Sequence, residues 1–389
     1  MPVPATTGQL RDRIEDMKIG DYIKIGISNG RFFINPIGFM EAPIYGSAGM
    51  TVANNTFWYA IKVDKGLLIS DRNIAHTLTW MWLNSANYIE GKPIEFTYNL
   101  VPIMTSNTTP SGEAYCSDEY DANYKAYFAF DGKKTQAETG IAYKREAVSR
   151  VNGVINFIGY KFPEPKKVKA YRITVSTAYN NVNLIDPSAP IEWTFEGSND
   201  SLDWTILDTQ TNISWTRPFE TKEFIISNDK TFTHYRIKNA SGYLSIGELE
   251  LLDMPVKINL GVVRSLKGGV IWADKDSNPT ITDNSLGAWP VNNEWDKYIT
   301  RFPKGLITTG STDDDVFHHH RIATAPTSGV YTWCQETPSI NLANSPATNR
   351  VIRAKYSDAT RDKIPSFGSV ANTEAQPYLG FRPVFEYIE

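Results

Sequence analysis

Cysteine is scarce: the 389-residue chain has two, Cys116 and Cys334. So long a chain cannot be a disulfide-stapled scaffold on two cysteines, and two separate thiols are expected. Long apolar runs are missing too, so no membrane insertion is expected. Positive charge is not in excess. Lys and Arg number 39 against 43 Asp and Glu, a formal net charge of −4, which leaves no basic footprint for nucleic acid. The opening stretch MPVPATTGQLRDRIEDM has no apolar core and no small-residue cleavage end. It does not read as a secretory signal, and synthesis in a cytoplasm is expected. Catalytic signatures are also lacking: there is no Gly-x-Ser-x-Gly elbow, His-Glu-x-x-His pair or phosphate loop. Carboxylates are plentiful, but no motif singles out the opposed pair that glycoside hydrolysis needs. The expectation is therefore a non-enzyme.

What is abundant is aromatic, with 10 Trp and 20 Tyr. The length suits two or three domains. Leu10, Ile14 and Met17 fall at helical spacing and predict a short amphipathic helix over 9–17, within an attachment segment 1–20. After Gly20 the text becomes strand-like, with Asn29-Gly30 as a turn signal. Between Val101 and Gly112, MTSNTTPSG reads as a domain edge. From 115 to 252 short alternating runs dominate. Tyr171, Ile173 and Val175 alternate with Arg172 and Thr174; Ile191, Trp193 and Phe195 with Glu192 and Thr194; Tyr235 and Ile237 with His234 and Arg236. Many short half-buried strands predict a β-sandwich. The last strand before the domain edge and INLGVVRSLKGGVIWAD (258–274) read as two halves of one interrupted domain.

The middle segment, 108–253, carries AYFAFDGKKT (126–135), INFIGYKFPEPKKVKAYRITV (155–175), WTFEGSNDSLDWTIL (193–207), HYRIKN (234–239) and IGELELL (246–252). In that order these resemble the discoidin, or factor 5/8 type C, family of galactose-binding-like modules. The resemblance implies a jelly roll with binding loops at one end and a structural calcium held by Asp131, Thr135 and Glu248. It implies sugar contacts from loop aromatics and polar forks. Trp215 and Arg217 are the leading pair, with Tyr143, Tyr179, Asn180 and Tyr243 beside them and Tyr120, Tyr124 and Arg145 as further candidates. Each of these positions also fits an ordinary surface loop. Trp204 is expected to plug the barrel end.

The flanking parts, 21–107 and 254–389, contain NNEWDKYI (292–299), YTWCQE (331–336), NRVIRA (349–354) and LGFRPVFEYIE (379–389). They are similar to the C-type-lectin fold in its formylglycine-generating-enzyme-like branch. The reactive cysteine pair of those enzymes is missing, since only Cys334 is present, and so is the Glu-Pro-Asn calcium loop of many lectins. GQLRDRIEDMKIGDYI (8–23), IKVDKGLLISDR (61–72), GGVIWAD (268–274) and GAWPVNNEWDKYI (287–299) in combination also resemble bacteriophage tail-fibre modules. The expected fold class is thus mainly β with minor α: a discoidin-type sandwich inserted into a split α+β C-type-lectin-like domain. The resemblance implies a virion receptor-binding protein that adsorbs to a host cell-wall or surface glycan, a homotrimer contacting other tail proteins. A structural tail component or a depolymerase remains the alternative. Asp313–Asp315 read as a solvated acidic loop or a calcium ligand set. His318–His320 read as an exposed polar loop or metal ligands on a strand.

Overall fold

The computed structural model describes residues 8–28, 31–36, 39–42, 47–48, 56–94, 96–120, 123–133, 147–149, 156–178, 181–239, 242–253, 261–301, 321–322, 325–329, 331–342, 345–354, 366–376 and 379–388. The protein is mainly β. Its chain forms two units: Met1–Asn35, Phe39–Phe96 and Ile258–Glu389 make one, and Pro36–Gly38 with Thr97–Lys257 make the other.

The first unit is built on a ten-stranded sheet in which Tyr22–Ser28, Thr56–Asp64, Leu67–Ser70, Val384–Tyr387, Gly261–Arg264 and Lys92–Ile94 follow one another. Lys92–Ile94 and Gly261–Arg264 pair antiparallel, with Ile94 opposite Gly261. The sheet is therefore continuous across the long sequence interval between them. A six-stranded sheet includes Tyr331–Trp333, Asn349–Arg353 and Leu379–Phe381. Trp295, Ile299, Cys334, Val351 and Val384 share the core. Within it the Arg353 guanidinium bonds both Asp296 carboxylate oxygens, at 2.6 and 3.0 Å, and the Gly268 carbonyl at 2.6 Å. Both partners are buried, so removing either one alone would cost about 3–5 kcal/mol.

Residues 9–17 do not form the amphipathic helix that their spacing predicts. Leu10–Arg11 is instead a strand lying parallel to Tyr22–Ser28. Buried Asp21 explains the difference. Its carboxylate accepts the Gln9 and Lys18 backbone N–H groups and the Arg11 Nε–H, which fixes the ends of the segment in an extended turn. Ile14 and Met17 are still buried, while Leu10 is exposed.

The second unit is a sandwich. Its five-stranded antiparallel sheet runs Glu113–Cys116, Phe157–Lys166, Phe232–Asn239, Trp193–Ser198, Thr205–Gln210. The facing sheet runs Thr221–Ile225, Ala170–Thr174, Glu248–Leu252. Alternation determines what faces inward: Tyr235 and Ile237 are fully buried, and Arg236 and His234 between and beside them are only partly so. Tyr171 of one sheet stacks on Phe195 of the other at 4.4 Å, and Phe195 on Tyr235 at 5.6 Å. The polar tips of Trp193, Tyr171 and Tyr235 are satisfied, as burial demands. Trp193 Nε1–H donates to the Tyr171 hydroxyl at 2.9 Å, and that hydroxyl donates to Asp208 at 2.7 Å.

Two expectations in this unit change. Trp204 is outside the core. Its indole lies 3.6 Å from the Arg236 guanidinium on the outer face of the five-stranded sheet, and Arg236 also bonds Glu196. The preceding turn, in which Asp200 accepts the Leu202 and Asp203 N–H groups, folds Trp204 back onto that face. Ile191 does not continue the Trp193–Ser198 strand and is exposed. Pro190 before it has no N–H to give a ladder.

Candidate functional site

Both cysteines are free thiols. Burial pushes the Cys116 thiol up to about 12, and fully buried Cys334 is raised as well. Neither is a nucleophile at neutral pH.

At the end of the five-stranded sheet where Trp193 faces Asn239, two loops meet around a pocket of about 380 Å³. Pro187, Ser188, Ala189, Pro190, Ile191 and Glu192 form one wall; Asn239, Gly242 and Tyr243 form the other. The size lies in the lower part of the range for small-molecule sites, about 300–1,000 Å³.

The proline wall is braced from behind at three carbonyls. Ser188 C=O accepts the Ser245 N–H at 2.9 Å and Ile191 C=O the Ile213 N–H at 3.0 Å. Pro190 C=O accepts the Trp215 indole N–H at 2.8 Å. Buried Asp186 starts the wall by accepting the Ser188 N–H at 2.6 Å, an Asx turn of the kind short polar side chains favour. The opposite wall is held by two buried asparagines. Asn156 and Asn239 donate their amide groups to Gly242 C=O at 2.8 and 2.7 Å, and Asn239 also reaches Tyr243 C=O at 3.2 Å. Asn239 Oδ1 takes the Asn156 N–H in return. Gly242 has φ +72°, a left-handed conformation that glycine adopts without strain. The walls thus stand preformed, with the Tyr243 side of the pocket 40% exposed and Ile191 59%.

Of the sugar-contact candidates, Tyr243 lines this pocket. Trp215 stands behind the proline wall, half-buried against the sandwich core, with the Lys222 ammonium 5.5 Å from its ring. Arg217 is exposed and is not one of the pocket's lining residues. Tyr120 is exposed and packs edge-on against buried Tyr124 at 5.4 Å. Tyr143, Arg145, Tyr179, Asn180 and Thr135, together with Asp313–Asp315 and His318–His320, lie outside the described residues. Pro187–Glu192 were missed in the sequence. The signal was present in Asp186-Pro187-Ser188 and Pro190, turn formers directly ahead of a strand, but Ile191 was absorbed into the strand's alternation.

The two described calcium candidates come together. Asp131 closes the short helical segment Ala126–Phe130, and Glu248 opens the Glu248–Leu252 strand. Both carboxylate oxygens of Glu248 accept the Gly132 N–H at 3.1 Å, and Asp131 Oδ1 accepts the Lys133 N–H at 3.1 Å. Both side chains are buried. Among the described residues, no group of three or more His, Cys, Asp or Glu side chains forms a metal-holding cluster.

No family profile and no curated protein matches the sequence. Solved structures do show similarity to part of the chain. A Clostridium perfringens module in complex with GalNAc-β-1,3-galactose is 15% identical, with 38% of this chain and 99% of that one covered and a TM-score of 0.29. Chitosan-binding module 1 from a Paenibacillus sp. IK-5 chitosanase/glucanase is 20% identical, covering 40% and 98%, TM-score 0.29. An F5/8 type C domain of a Bacteroides fragilis protein is 15% identical, covering 36% and 89%, TM-score 0.29.

Proposed function

We propose that the second unit binds carbohydrate without cleaving it, and that its sugar sits in the pocket between Pro187–Glu192 and Tyr243. The observation that carries this reading is an exposed tyrosine set across a preformed pocket from a braced, proline-stiffened wall. An aromatic face packs on the C–H face of a pyranose, while the Glu192 carboxylate and the Ser188 hydroxyl accept hydroxyl protons. Rigid walls keep the ordering cost of binding low.

The wider reading is a phage tail receptor-binding protein, carried on the virion as a homotrimer, contacting other tail proteins and adsorbing to a host cell-wall or surface glycan. The tail-fibre-like segments at 8–23, 61–72 and 287–299 support it. The C-type-lectin-like reading of the first unit is supported by its Trp333 strand, the Leu379–Phe381 strand and the Asn293–Asp296 passage that opens the short helical segment Trp295–Thr300. Weak single sites would then gain by multivalency. The donor set of Asp131 and Glu248, hard oxygens from two separate segments beside one turn, suits a structural calcium that would tie that turn to the sheet.

The test is sedimentation of the full chain with purified host cell walls. Binding that Tyr243→Ala weakens about tenfold, with no release of reducing ends, is the expected outcome. Binding that the substitution leaves unchanged removes the pocket from the reading, and reducing ends would make the protein a depolymerase.

A further inference from the structure

Resting on that reading, the charge of the pocket says which sugars it prefers. Glu192 is the one acidic side chain among the lining residues, and no Lys, Arg or His lines the pocket with it. Asp186, at the root of the same wall, adds a second carboxylate whose Oδ1 is taken by the Ser188 N–H. Among the described residues no cation forms an ion pair with Glu192. Lys222, on the strand that follows the Trp215 loop, is engaged elsewhere: its ammonium lies against the Trp215 ring and pairs with Glu220 at 2.8 Å.

A sugar lying against Tyr243 would thus meet apolar atoms of Pro187, Ala189, Pro190 and Ile191, neutral hydrogen-bonding groups, and one half-buried carboxylate. We infer that the site selects glycans carrying an unacetylated amino group, the ammonium pairing with Glu192. An ammonium answers the carboxylate with a charge-assisted bond, stronger than a hydroxyl makes. An N-acetyl group in its place removes the charge and adds bulk beside a wall whose backbone is already committed to Ser245, Ile213 and Trp215.

The probes are a glucosamine trisaccharide and its fully N-acetylated form, titrated calorimetrically into the full chain. The unacetylated form is expected to bind about fivefold more tightly, as a partly exposed ion pair allows. The ratio should fall toward one in Glu192→Gln and shrink as salt is raised. Equal affinities in the parent protein overturn the inference. So does a Glu192→Gln variant that weakens both ligands alike, because the carboxylate would then be bonding hydroxyls common to the two. In either of those cases, loss of both affinities in Tyr243→Ala leaves the pocket reading standing. If neither sugar binds the parent protein, the inference falls and cell-wall binding decides the pocket reading; if both bind and Tyr243→Ala changes neither affinity, both readings fall.

Discussion

Replacing Trp215 with phenylalanine separates two roles that an aromatic residue near a sugar site can have. The ring and its packing against the core remain, while the Nε1–H bond to Pro190 C=O, 2.8 Å long, is lost. One such bond contributes about 1 kcal/mol net. For a unit of this size that should lower its melting transition by about 2–4 °C. If the whole cost fell on the bound state, affinity would drop about fivefold. The loss should be smaller, because the Ser188 and Ile191 carbonyls keep their braces. Tyr243→Ala is the contrast: it leaves those braces alone, removes the exposed ring, and should cost about tenfold in affinity with little change in melting. Scanning calorimetry and titration calorimetry on both variants give the two pairs of numbers. If Trp215→Phe weakens binding more than Tyr243→Ala while the melting temperature stays put, the indole itself contacts sugar and the assignment of the pocket walls is wrong.

Calcium should raise the melting temperature of the parent protein relative to chelator, and Glu248→Gln should erase that rise; equal melting with and without calcium in the parent would remove the ion from the account. Gly242→Ala places a side chain where nothing lies within 4 Å, but at φ +72°; the strain of about 1 kcal/mol should appear as lower stability by denaturant titration, without steric loss. Glu220 gives a pH dependence. Burial opposes its ionisation, yet its bonds to Lys222 and to the Thr216 N–H and hydroxyl hold the carboxyl down from 4.5 to about 2. A lowered folded-state value means stability that is complete above about 4.5 and lost as pH falls toward 2. Near-ultraviolet circular dichroism should show an acid transition in that window, and Glu220→Gln should flatten that part of it.

The strands of the sandwich were legible because their inward residues alternate with polar ones over runs such as Phe232–Asn239. The strands at Tyr331–Trp333 and Val384–Tyr387 do not alternate in this way, and they were read from their aromatic residues and from the family resemblance. What could not be read depends on distant partners. The helix expected over 9–17 failed because one carboxylate, Asp21, captures donors on both sides of it. The N–H bond from Trp215 to a carbonyl 25 residues earlier in the chain is another such tie, and nothing in the local pattern announces it. Ile191 fitted an alternating pattern that Pro190 interrupts. At 9–17 and at Ile191 the local periodicity was intact, and hydrogen bonds to one carboxylate or a missing donor decided the outcome.

The pairing of Lys92–Ile94 with Gly261–Arg264 also has a meaning in time. During synthesis the first of these strands leaves the ribosome about 10–30 s before its neighbour, at typical elongation rates of about 5–20 residues per second. Val384–Tyr387, which lies between Leu67–Ser70 and Gly261–Arg264, arrives later still. The sandwich, whose strands all fall inside that interval, can mature while its host is still half a sheet with open edges. The nascent protein therefore waits on its own interruption, and a slow-folding change inside the sandwich would be felt first as aggregation of the unit around it.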